Sequence, residues 1–107
     1  MKNEDGILIQ STAIMLAKHF ADEKLEQAKS TDELKGNLTA CIVYLLLNEM
    51  EKLLHILYRI DVNENKVKAV FAQQNPAAIA PALAELIIER ELEKARSREQ
   101  HSKHENK

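Results

Sequence analysis

The residues best suited to chemistry in this chain of 107 residues lie close together: Glu49, Glu51, His55 and Arg59. Glu51, His55 and Arg59 recur at four-residue steps, so a helix sets them on one face. Carboxylates beside an imidazole can hold a divalent cation and activate a water, and a neighbouring guanidinium can neutralise phosphate. The group is therefore a candidate pocket for a small metal-dependent phosphohydrolase or ligand-binding protein. The helical di-iron pattern needs Glu and His three apart, twice, and that spacing is absent. The plainer reading of the same residues is a solvated stripe with ionic support along the helix.

Other chemical features carry less. Glu85 and Glu89 share a helical face, but Glu89, Glu91 and Glu93 alternate with Arg90 and Lys94, which is the pattern of a solubilising surface. His101 and His104 stand in a polar stretch with nothing to fix their geometry. Cys41 is the single cysteine, so no intrachain disulfide, zinc knuckle or redox pair can form, and its apolar neighbours predict a small buried hydrophobe. No serine lies in a nucleophile turn. No catalytic residue, metal ligand or cofactor is assigned, and a binding module is the first reading ahead of an enzyme.

Composition narrows the partners. Fifteen Lys and Arg against 17 Asp and Glu give a net charge of −2, and aromatic residues make up 4% of the chain. Neither a basic footprint nor a stacking platform for nucleic acid is present. The helix beginning near Pro76 opens on Ala, Ile, Leu and Pro, with nothing to read a base edge. The charge-free stretches 6–17, 36–48 and 69–84 fall short of the roughly 20 apolar residues of a membrane span. A signal peptide is not readable at the start, and the expected location is cytoplasmic.

The elements that must position these residues read as helices. Ile14, Ala17, Ala21, Leu25 and Ala28 recur at three- and four-residue steps and predict a helix over 7–28. Ser30 and Glu33 have capping-box spacing, and Gly36 with Asn37 predicts an interruption, so a turn is expected within 29–37. Shorter helices are expected over 64–73 and 77–96, the last with Asn75 as its cap and Pro81 awkwardly inside it. Residues 1–96 form one domain, and the polar tail 97–107 is expected to be frayed or disordered.

The segment 38–60 is the most informative. On a wheel of about 100° per residue its apolar side chains sweep an arc of roughly 220°, far wider than an ordinary surface helix shows. Glu49 falls inside that arc, and it must either reach Lys52 from a rim or serve as a polar anchor in a pocket or interface. The fold class is all-α, a four-helix bundle-like domain with a long, broadly apolar central helix. Such a chain cannot wrap that helix alone. The side bearing Tyr44, Leu47, Leu54 and Tyr58, and the opposite side bearing Ile42, Leu45 and Ile56, would each need a neighbour. The leading expectation is an interaction or regulatory module that forms a homodimer.

The run Leu53, Leu54, His55, Ile56, Leu57, Tyr58, Arg59, Ile60, Asp61, Val62, Asn63, Glu64, followed by Leu86, Ile87, Ile88, Glu89, Arg90, Glu91, resembles a group of short bacterial all-helical proteins of uncharacterised role. The resemblance covers the second half of the chain and implies no activity, cofactor or site residue. It draws the eye to the helix end, where Arg59 could pair with Asp61 or with Glu89 and clamp two segments together.

Overall fold

Helices form where apolar spacing predicts them, and their ends fall where side chains or left-handed residues stop the hydrogen-bond ladder. The computed structural model describes residues 2–105, with side chains over 6–98, and its regular elements are all helical. They are α1 (Lys2–Phe20), a 3₁₀ turn (Glu23–Gln27), α2 (Thr31–Asn48), α3 (Met50–Ile60), α4 (Glu64–Phe71) and α5 (Pro76–Glu105).

The first helix ends sooner than periodicity predicts. Ala21 turns left-handed at φ 52°, its N–H donates to the Lys18 carbonyl, and the Asp22 N–H donates to that of Ala17. That pair of bonds is a Schellman stop. Asp22 Oδ1 then accepts from the Lys24 N–H at 3.0 Å and starts the 3₁₀ turn, which buries Leu25. The predicted helix over 7–28 is thus two pieces joined at Ala21.

The expected turn within 29–37 is confined to its beginning. Ser30 Oγ accepts from the Glu33 N–H at 3.1 Å, Glu33 Oε1 accepts from the Lys29 N–H at 2.9 Å, and α2 starts at Thr31. The helix then runs straight through Gly36. An interior glycine costs only about 1 kcal/mol. Leu34 and Leu38 on either side of it are fully buried and outweigh that cost, at roughly 1.5–3 kcal/mol each.

The central helix is not continuous. Glu49, at φ −146° and ψ 63°, separates α2 from α3, so the described residues form five α-helices where four were expected. The interruption contains no Pro or Gly; the Asn48 side-chain amide donates to the Tyr44 carbonyl at 3.0 Å beside it. Only part of the broad apolar arc is buried. Leu34, Leu38, Ile42 and Leu45 are buried on α2, and Leu53, Ile56, Leu57 and Ile60 on α3.

The floor for these stripes is α5, which packs against all four other helices. Asn75 caps it, accepting from the Ala77 N–H at 3.1 Å, and the helix continues through Pro81 as far as Glu105. The backbone expected to fray after Arg96 is helical to that point; side chains beyond 98, including His101 and His104, lie outside the described residues. Asn63 caps α4 by accepting from the N–H groups of Asn65 and Lys66. No helix among the described residues is long and apolar enough to cross a membrane.

Candidate functional site

The polar cluster does not assemble. Glu49, Glu51, His55 and Arg59 are all exposed, and Glu49 lies at the joint rather than within a helical apolar arc. Its nearest cation is Lys52, at 3.9 Å, which is the rim contact weighed from the sequence. Among the described residues no three His, Cys, Asp or Glu side chains are grouped so as to hold a metal ion. Four clefts on the described surface are lined by none of the four cluster residues.

The apolar face behaves differently. Tyr44, Leu47, Leu54 and Tyr58 are 57%, 67%, 47% and 83% exposed, and Met50 joins them at 39%. Tyr44 and Leu47 are three apart on the last turns of α2, and Met50, Leu54 and Tyr58 are four apart along α3. Two apolar stripes therefore meet water on either side of Glu49. The opposite side needs no neighbour. Ile42, Leu45 and Ile56 are buried within their own chain, so the expectation that both sides lack cover is corrected to one.

Next to the α3 stripe is a groove of about 540 Å³, floored by Leu54, Leu57, Tyr58, Val62 and Val67 and edged by Asp61 and Glu64. A second cleft, of about 420 Å³, lies where the turn after α1 faces α2, with Phe20, Asp22, Cys41, Tyr44 and Lys52 in its wall. There Cys41 is not simply a buried hydrophobe. It is partly buried, and its Sγ donates to Asp22 Oδ2 at 2.8 Å. Burial, together with that hydrogen bond to a carboxylate, pushes the thiol pKa up to about 12. Asp22 moves the other way: the thiol donor and the Lys24 N–H hold its carboxyl below the ordinary range. A thiol kept protonated is a poor nucleophile.

Sequence reasoning missed two polar groups. Glu91 was read as surface, yet it is 1% exposed, with Oε2 at 3.4 Å from both His19 Nε2 on α1 and Lys94 Nζ. Among the described residues its Oε1 has no partner, nor does the buried hydroxyl of Thr12. The signal was available: Ile87, Glu91 and Ala95 follow at four-residue steps in the buried stripe of α5. The helix-end clamp exists, but Arg90 makes it instead of Arg59. Arg90 Nε donates to the Asp61 carbonyl at 3.0 Å and Nη2 to Asp61 Oδ2 at 3.2 Å. No family model matches the chain, and no curated protein or solved structure matches it either.

Proposed function

We propose that this protein is a small helical interaction module that self-associates through the face bearing Tyr44, Leu47, Leu54 and Tyr58. One observation carries the reading: four large apolar side chains, two of them tyrosines, stand in water on the outer side of the α2–α3 segment. Scattered exposed hydrophobics are normal, but apolar stripes backed by a rigid helix pair are the anatomy of an interface core. Tyrosine suits such a position because it covers much area with few rotatable bonds and keeps a hydroxyl for a rim hydrogen bond.

The size of the face bounds what a dimer can bury. Five partly exposed side chains supply on the order of 500 Å² per copy, which places a two-fold pair near the roughly 1,000 Å² threshold of a specific interface. A dimer with a dissociation constant on the order of micromolar is the matching expectation. Sedimentation equilibrium from 1 to about 200 µM tests it. A mass rising from 12.2 kDa toward twice that value supports the proposal, and the double substitution L54E/Y58E should abolish the rise while leaving thermal stability unchanged. A parent protein that stays at 12.2 kDa throughout would overturn it.

A further inference from the structure

The outer face of α3 carries charge as well as apolar surface, and the two are laid out in order. Glu51 stands in the first turn and Arg59 in the last, both exposed. Among the described residues neither forms an ion pair, whereas Lys52 is paired with Glu49 and Asp61 with Arg90. At about 100° per residue, Leu54 and Tyr58 lie within about 60° of Glu51 on one side, and His55 and Arg59 within about 80° on the other. Leu53, Ile56, Leu57 and Ile60 fill the far side and are buried in the core.

A two-fold contact between copies of this helix allows two directions. Running the same way, the helices set Glu51 against Glu51 and Arg59 against Arg59, like charges that repel. Running opposite ways about a midpoint between Leu54 and His55, they bring Glu51 level with the partner's Tyr58 and within about 1.5 Å, along the axis, of the level of the partner's Arg59. The carboxylate then accepts from the phenol and from the guanidinium, twice by symmetry. Leu54 meets the partner's Leu54 along the apolar edge. His55 meets the partner's His55 along the polar one, where one imidazole can donate and the other accept. The start of α3, with Leu47 just before it, reaches the end of the partner's helix and the groove beside Tyr58.

We infer that the dimer forms by antiparallel pairing of α3 with α3 of a second copy, in which Glu51 of each chain binds Arg59 and Tyr58 of the other on either side of a Leu54 contact. This rests on the self-association proposed above and specifies its geometry. Each monomer keeps its fold, because every side chain in the contact already faces water. The stripe of Glu51, His55 and Arg59 assembles no pocket within one chain; its complement is its own reversed copy. Leu54 and Tyr58 supply the apolar burial, and the opposite charges at the two ends select this register over the parallel one.

Charge reversal, read by sedimentation equilibrium, tests it. Glu51→Arg sets two arginines together at each end of the contact and Arg59→Glu two glutamates, so each should raise the dissociation constant by about tenfold. The double variant, Glu51→Arg with Arg59→Glu, restores both pairs and should return to within about threefold of the parent. Within one helix the two positions are about 12 Å apart, so coupling between them arises between copies. Net charge does not imitate the series: Glu51→Arg takes it from −2 to 0, which by itself favours association. Should a reversed chain fail to fold, Glu51→Gln and Arg59→Gln replace it, each weakening the dimer and together costing less than their sum. If the parent dimerises and neither single variant weakens it, or the double variant is weaker than both, antiparallel pairing is refuted and the apolar face stands. A parent that stays monomeric removes both.

Discussion

Arg90 on α5 grips the residue that ends α3: its Nε donates to the Asp61 carbonyl and its Nη2 to the Asp61 carboxylate. Asp61 is left-handed at φ 67°, and its own N–H closes on the carbonyls of Leu57 and Tyr58. One guanidinium therefore satisfies a carbonyl freed by the helix end and balances the charge of the residue that turns it. Arg90→Ala should lower stability by about 1 kcal/mol, the scale of a partly exposed pair with a backbone acceptor. Asp61→Asn, which keeps left-handed tolerance and the carbonyl contact, should cost less. Urea unfolding of both variants gives the comparison.

Ala21 does at the end of α1 what Asp61 does at the end of α3, but without a side chain suited to it. Its φ of 52° burdens a Cβ that glycine lacks. Ala21 is exposed, so nothing is lost from the core on trimming it. Ala21→Gly should raise stability by up to about 1 kcal/mol, read as a rise of several degrees in Tm for a chain of this size.

Glu91 is a buried carboxylate with one oxygen 3.4 Å from both His19 Nε2 and Lys94 Nζ and the other without a partner among the described residues. Burial of an ion pair is costly, and replacing it with a well-packed apolar side chain is often neutral or stabilising. Glu91→Met is expected to leave stability unchanged or raise it by about 1–3 kcal/mol, with His19 and Lys94 free to turn toward water because each is partly exposed. Calorimetry decides this: a drop of several degrees would mean that the carboxylate holds α1 onto α5.

The thiol of Cys41 predicts a pH dependence at the alkaline end. The folded protein keeps that proton to about 12, against 9.0 for an ordinary thiol, so between these values the folded state binds more protons than the unfolded one. Stability falls as pH rises through this window, and Cys41→Ala should lack that part of the fall. The same protonation makes Cys41 slow to alkylate at pH 8, by a factor on the order of 10³ relative to a free thiol. Asp22→Asn removes the carboxylate from the thiol and should speed alkylation, followed by mass spectrometry.

What the residues disclosed depended on whether local pattern or tertiary contact decides the outcome. The helical class, the caps at Ser30 and Asn75, and the outward set of Tyr44, Leu47, Leu54 and Tyr58 follow from spacing and short-range hydrogen bonding, and each is present. The interruption at Glu49 was not readable, because Asn48, Glu49 and Met50 are all tolerated inside helices and only the packing of α3 selects the bend. The wide arc does not depend on that joint: Leu38, Ile42, Val43, Leu45, Leu46 and Leu47 on α2 sweep about 200° by themselves, and only part of that arc is buried. Glu91 escaped because alternating charge around it resembles a solvent face, while its position between Ile87 and Ala95 indicated the reverse. Arg59 was favoured over Arg90 for the clamp because it is nearer in sequence, and only the return of α5 brings Arg90 within reach.

Because α1 through α4 all lean on α5, and α5 follows them in the chain, the earlier segments have little to bury against as they leave the ribosome. Stripes such as Leu34, Leu38 and Ile42 stay wet until the stretch after Pro76 has emerged and folded back. Collapse is therefore a late event that joins distant parts of the chain at once, not a stepwise accretion. A nascent chain arrested before Pro76 should be cut readily by protease and held by chaperones, whereas one extended past Ala95 should resist.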